Sequence, residues 1–268
     1  MHEFEFQRPK DLKHAATLAR KAENARLLAG GQSLLPTMRL RLASPDAMID
    51  LGGLQELRGI RLEGTQLVIG AMTRHAEVAA SKDVMMAIPA LAHLAADIGD
   101  RQVRNMGTLG GSLANDDPAA DYPAAVLGLG ATVNTYKRAI PADKFFKGLY
   151  ETALRPGEII VSVSFPLVKR AAYAKFKNPA SRFAIVGVFA SETAGNVRVA
   201  VTGAGAAGVF RAKDMEKKLA ANFSPDAIAK SRVSPDKLTS DIHASAEYRS
   251  HLVTVMAQRA VAAALAGK

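Results

Sequence analysis

Apolar positions at helical spacing follow Asp11, at Leu12, Ala15, Ala16, Leu18 and Ala19, and predict a helix capped by the Asp11 carboxylate. Residues 26–29 read as a short buried strand that Gly30-Gly31 breaks, and residues 47–50 as another. Residues 59–62 and 66–70 form a predicted hairpin around Glu63-Gly64. Helices are predicted near Thr73, over 88–98 and over 119–129, and a strand over 131–136. The pattern changes after Phe165-Pro166. Residues 172–177, 184–191 and 197–202 read as three strands in succession, with Gly195-Asn196 turning the last two. From Phe210 onward the spacing is helical and closes in an amphipathic helix over 246–265. Met85-Met86 and the Leu, Val and Met positions of that last helix are expected in the core. Strand runs followed by helices indicate α+β architecture rather than alternating βαβ units. The boundary falls near Pro166, giving an N-terminal part of residues 1–165 and a smaller C-terminal α+β part of residues 166–268, a three-stranded antiparallel sheet with helices.

Composition narrows the chemistry. The 268 residues suffice for one large domain or two ordinary ones. The absence of cysteine removes disulfides, thiolate nucleophiles and iron–sulfur ligands from this chain, so redox chemistry here needs a bound organic cofactor or a partner. A net charge of +10 raises nucleic acid as a ligand, but the Lys and Arg residues form no run and lack interleaved aromatics. No apolar stretch is long enough for a membrane span. Met1-His-Glu-Phe-Glu-Phe has neither the basic start nor the apolar core of a secretory leader, and the expected compartment is the cytoplasm.

Two glycine segments stand out. Ala29-Gly30-Gly31-Gln32-Ser33-Leu34 directly follows a predicted strand; its glycines permit positive φ and close approach of backbone N–H groups to an anion. Ser33 can cap the turn that follows and offer a hydroxyl to a phosphate. Met106-Gly107-Thr108-Leu109-Gly110-Gly111-Ser112-Leu113-Ala114-Asn115 repeats that chemistry in what reads as a second loop. Together they could converge on the two phosphates of a dinucleotide; each alone also reads as a tight turn into a helix.

The pair resembles the FAD-pyrophosphate motifs of the medium, flavin-binding subunits of molybdenum hydroxylases, the family of xanthine dehydrogenase and aerobic carbon monoxide dehydrogenase. Phe4-Glu-Phe-Gln-Arg-Pro9, Val68-Ile-Gly-Ala-Met-Thr73, Asp117-Pro-Ala-Ala-Asp121-Tyr-Pro, Leu154-Arg-Pro-Gly-Glu158, Tyr173-Ala-Lys-Phe and Glu247-Tyr-Arg249 extend the resemblance along the whole chain. It implies a two-part N-terminal FAD-binding domain, with Ala29, Gly30, Gly31, Gln32, Ser33 and Leu34, and Thr108, Gly110, Gly111, Ser112 and Asn115, around the cofactor. It further implies a polar contact from Asp121, approach of Lys175 to the flavin ring, and Phe183 against a flavin face. The bland counterparts are a helix-start carboxylate for Asp121 and a surface lysine for Lys175. Relatives often carry an acidic residue and then an aromatic where this chain has Arg182-Phe183, which alters the flavin surroundings. Partners implied are a small chain holding [2Fe-2S] clusters and a large chain holding the molybdenum cofactor, assembled as a dimer of heterotrimers. The flavin would relay electrons to an external acceptor.

Other motifs are set aside. Gly203-Ala-Gly205-Ala-Ala-Gly208 has the form of a nicotinamide-dinucleotide fingerprint, but its strand is the second arm of a hairpin. Asn115-Asp116-Asp117 with Asp121 lacks calcium-loop spacing. His75, His93 and His251 form no metal-binding pair and read as packed or surface residues. No catalytic acid–base residue and no metal site is identified. Two rivals stay open: a self-sufficient FAD oxidoreductase with its own substrate pocket, and a non-enzymatic nucleotide-binding module.

Overall fold

A computed structural model describes residues 1–21, 23–193 and 195–267. The N-terminal apolar segments form a three-stranded parallel sheet ordered Glu5–Gln7, Ala47–Asp50, Ala25–Leu28. The helix Leu12–Lys21 crosses between its strands, and Asp11 Oδ1 accepts the His14 amide at 2.7 Å, so the expected cap forms. Ala15 and Ala16 are its buried contacts. The strand expected over 26–29 runs Ala25–Leu28 and is half-buried rather than buried, because it lies at the sheet edge.

The predicted hairpin is present, Ile60–Glu63 pairing with Gln66–Gly70 in register Glu63↔Gln66, with Gly64 turning at φ +58°. It continues into a five-stranded antiparallel sheet through Ile160–Pro166, Thr132–Thr135 and Ala139–Pro141. The central strand Ile160–Pro166 was not among the expected strands, although Val161, Val163 and Phe165 alternate with Ser162 and Ser164 as a strand does. Both serines are buried and accept the Asn134 side-chain amide, at 3.3 and 2.9 Å.

Six short helices, His75–Ala80, Lys82–Ala87, Pro89–Ala96, Arg101–Met106, Leu109–Asn115 and Tyr122–Leu129, cover one side. The second glycine segment is therefore a helix start rather than a loop. Thr108 is its N-cap, and Gly110 and Gly111 lie in its first turn. Met85 and Met86, expected in the core, are exposed, because Lys82–Ala87 buries Val84 alone.

The C-terminal sheet is antiparallel in the order Arg170–Lys177, Ala184–Thr193, Asn196–Thr202, Phe210–Arg211. It has four strands rather than three. Arg211, expected in a helix, is held extended by ion pairs to Asp143 and Glu216, and the helix begins at Lys213. The last helix, Ala246–Leu265, matches its predicted span, is capped by Ser245, and buries Leu252, Val253, Met256 and Val261. Ala184–Thr193 is covered on both faces. Phe189 joins the core around Tyr122–Leu129, while Val186 and Val188 join the core beneath the last helix. Polar ties cross the same seam: Ser191 Oγ donates to Gly128 O at 2.7 Å, and Thr202 Oγ1 to Ala120 O at 2.7 Å.

Candidate functional site

The chain leaves the Ala25–Leu28 strand into Ala29-Gly30-Gly31-Gln32-Ser33 and then the helix Leu34–Arg39. Gly31 turns this corner at φ +72°, a region that L side chains rarely occupy. Gly30 has ordinary φ but no room. A Cβ there would stand 2.1 Å from Met106 O and 2.8 Å from Gly107 Cα, so the two glycine segments meet backbone to backbone.

The segments differ in what their amides can still do. Among the described residues, the backbone N–H groups of Gly30, Gly31, Gln32 and Ser33 donate no hydrogen bond within the protein. Ser33 sits at the N-cap position but forms no side-chain cap, so the capping role expected of it is not taken up. In the second segment the amides are engaged: Leu109 N donates to Thr73 O, Gly110 N to Ala71 O, Gly111 N to Thr108 Oγ1 and Ser112 N to Thr108 O. The first segment thus keeps four consecutive free amides, whereas in the second only Thr108 N is without a partner among the described residues. At Gly110 the missing Cβ serves packing, since it would stand 2.6 Å from Ala71 Cβ and 2.9 Å from Ala71 O.

These walls enclose a cavity of about 820 Å³. Ala29, Gly30, Gly31, Gln32, Ser33, Leu34, Thr108, Gly110, Gly111, Ser112, Asn115, Asp121 and Phe183 all line it. Lys175 does not. Its amine is fully buried, donating to Asp97 O at 2.7 Å and to Asp121 Oδ2 at 3.1 Å. The ammonium is consumed by an ion pair behind the wall, which differs from both the exposed lysine and the ring contact expected of it. Asp121 is the wall residue of this pair and also accepts the Tyr173 hydroxyl at 2.5 Å. Burial raises its pKa to about 6, against the opposing pull of Lys175 and Tyr173. It makes no helix cap, so it joins the helix Tyr122–Leu129 to the strand Arg170–Lys177.

Phe183 is 48% exposed at the cavity mouth. Its neighbour Arg182 takes φ +62° and reaches Gly99 O at 3.3 Å, so the reversed charge is turned back onto the opposite rim.

Two groups of wall residues carried no assigned role in the sequence. One is Leu154-Arg155-Pro156-Gly157-Glu158, whose Arg-Pro-Gly turn was the available signal. Glu158 is buried; the Arg138 guanidinium hydrogen-bonded to it, helped by the Arg155 amide and Thr135, holds its pKa down at about 2. The other is His75, buried by the Gly107 backbone and the Tyr122 ring, its pKa lowered to about 4 by burial and by Arg104. His93 and His251 are exposed. The Gly203–Gly208 motif lies outside the cavity wall and follows a hairpin arm; Gly203 N donates to Pro118 O. Asp116 ends its helix in the left-handed region at φ +45°, its pKa raised to about 7 by burial and Asp117.

The carbon monoxide dehydrogenase medium chain of Hydrogenophaga pseudoflava is 35% identical over 98% of this chain and 97% of its own length. The nicotine 6-hydroxylase medium subunit of Paenarthrobacter nicotinovorans is also 35% identical, over 96% of this chain and 95% of its own. A solved chain of reconstituted CO dehydrogenase from Oligotropha carboxidovorans superposes with a TM-score of 0.90 at 32% identity, covering 100% of this chain and 99% of that one. Residues 2–168 match the family described as the FAD binding domain in molybdopterin dehydrogenase, and it is to this FAD-binding family that the chain belongs.

Proposed function

We propose that this chain is the FAD-carrying electron-transfer subunit of a heterotrimeric molybdenum and iron–sulfur hydroxylase, standing between the [2Fe-2S] clusters of a small partner chain and an external acceptor. The observation that carries this reading is the convergence of the two glycine segments on one large cavity, one of them offering free amides. The residues fit the cofactor. Four consecutive N–H groups and the Ser33 and Ser112 hydroxyls, all without a partner among the described residues, suit a diphosphate, which needs donors and leaves no room for Cβ atoms. Bound there, FAD would supply the capacity to take up and release electrons, for which this chain has no thiol pair or cluster-binding cysteine.

The division of labour follows from the walls. Residues 1–165 form the FAD-binding part, and residues 166–268 form a C-terminal part whose Arg182-Phe183 turn closes the mouth. Phe183 offers an aromatic face to the ring system. Asp121 contacts the cofactor, while Lys175 acts through Asp121 rather than by touch. Glu158 and Arg138 hold the Arg155–Gly157 turn in place from behind. The exposed apolar Leu40, Leu42 and Met106 support a partner-facing side near the glycine segments. The large partner carries the molybdenum cofactor and the substrate chemistry, and the complex is a cytoplasmic dimer of heterotrimers.

The test is cofactor content followed by reconstitution. The purified chain should release about one FAD per chain on denaturation and show no flavin reduction by organic substrates. Adding both partner chains should restore it. Release of a different nucleotide, or substrate-driven flavin reduction by the single chain, would overturn the reading.

A further inference from the structure

Arg138, Lys144, Lys147 and Arg155 form no basic run in the sequence, but the fold gathers them. Arg138 follows the strand Thr132–Thr135, Lys144 lies on the short helix Ala142–Phe145, and Lys147 on the strand Phe146–Gly148. Arg155 stands on the turn that walls the large cavity. All of them line a second cavity of about 500 Å³, whose wall contains no aspartate or glutamate. Arg155 lines both cavities. The Arg138 guanidinium is fixed in place: Nε and Nη2 each donate to the Glu158 carboxylate at 2.9 Å, and Nη2 also donates to Ala153 O at 2.7 Å. Its Nη1 has no partner among the described residues. The Arg155 amide donates to the same carboxylate at 2.9 Å, which holds the base of its side chain. Among the described residues, the side chains of Lys144, Lys147 and Arg155 form no ion pair and no hydrogen bond. The acids close to them in sequence are turned elsewhere. Asp143 pairs with Arg198 and Arg211, and Glu151 lies against Gly148 outside the cavity wall.

We infer that this second cavity is an anion-binding site for a di- or polyphosphate, free or carried on a nucleotide. A concave wall of one sign concentrates counter-ions, and like charges gathered there repel until an anion is bound between them. A guanidinium edge held in place by its other donors is preorganised for phosphate oxygens, and the lysine ammoniums add mobile charge. A volume in the range of small-molecule sites, about 300–1,000 Å³, favours a compact anion over an acidic protein surface. The chemistry differs from that of the glycine segments, where the donors are uncharged amides, so the site does not depend on what fills the larger cavity.

The experiment titrates the full chain, saturated with FAD so that the larger cavity is filled, with inorganic pyrophosphate in a calorimeter at constant ionic strength. Pyrophosphate should bind more tightly than sulfate. Lys144→Glu combined with Lys147→Glu should weaken it by roughly tenfold or more, through the loss of two cations beside the anion. Both lysines are exposed, and equal thermal melts of the variant and the unaltered chain check that the fold is kept. Lys217→Glu combined with Lys230→Glu alters the net charge equally at exposed positions outside the cavity wall and should leave binding unchanged. ADP binding more tightly than pyrophosphate assigns a nucleotide; ADP binding equally or less tightly assigns the free anion. An affinity for pyrophosphate no greater than that for sulfate, or an equal loss in the two charge-reversed pairs, overturns the inference. So does capture of a glutamate-rich peptide in place of pyrophosphate, which would make the cavity a protein contact. If the chain takes up no FAD, the comparison of the two pairs still locates the anion, and only the flavin reading fails.

Discussion

Gly30→Ala isolates the contact on which the cavity depends. The residue has negative φ, so an added methyl meets only space, and that space is filled. It would stand 2.1 Å from Met106 O and 2.8 Å from both Met106 C and Gly107 Cα, where ordinary contact begins near 3.4 Å. All three atoms are backbone, so no side chain can swing away, and the segments must part by roughly an ångström in a close-packed interior. Overpacking of this kind costs about 1–3 kcal/mol. For a chain of this size that lowers the apparent midpoint by about 2–10 °C. The same displacement carries the amides of residues 30–33 away from the opposite wall. Losing about two hydrogen bonds to the diphosphate weakens FAD by roughly tenfold to a hundredfold, at about 0.5–1.5 kcal/mol each. Thermal melts of the cofactor-free chain and fluorescence titration with FAD measure both effects. Gly53→Ala is the control, since its Cβ meets nothing within 4 Å. If Gly30→Ala melts and binds FAD as Gly53→Ala does, the backbone-to-backbone contact is not what shapes the site.

Glu158→Gln should destabilise the chain by about 1–3 kcal/mol near neutral pH, between the values for exposed and for fully buried pairs because Arg138 keeps solvent access. The Glu158 pKa is depressed, so its contribution is complete above pH 4.5 and disappears as pH falls through about 2. Denaturant melts should therefore show the variant and the unaltered chain converging over that window, and a constant gap would contradict the assignment. Phe183→Ala should change the flavin midpoint potential or its oxygen reactivity more than FAD affinity, because the anchoring groups lie at the glycine segments; unchanged spectra and reactivity would return Phe183 to an ordinary surface role.

Much of the architecture was legible because periodicity and capping agree locally. Asp11 and its helix, the Gly64 hairpin and the helix Ala246–Leu265 stand where the pattern placed them. What escaped was structure set by distant partners. Arg211 is extended because Asp143 and Glu216 hold it. The glycine segments were legible as a pair, but the sequence could not reveal that the second one's amides close hydrogen bonds with residues 71–73 and 108. Lys175 was recognised by its motif, whereas its burial depends on Asp97 and Asp121, remote in the chain. His75 carried no motif, and only the fold sets it between Tyr122 and Gly107.

The free amides of residues 30–33 bear on how such a site persists as sequences drift. A main-chain donor is supplied by every residue except proline, so the side chain at Gln32 can be exchanged without removing a donor. What selection must preserve there is shape: a left-handed corner at Gly31 and a bare Cα at Gly30. Two glycines then do the work that a set of named side chains does in a pocket built from functional groups. A chain that shares about one residue in three with its relatives can keep the same cavity on those terms and vary the aromatic and charged rim, where Arg182 and Phe183 stand, to suit a different flavin environment.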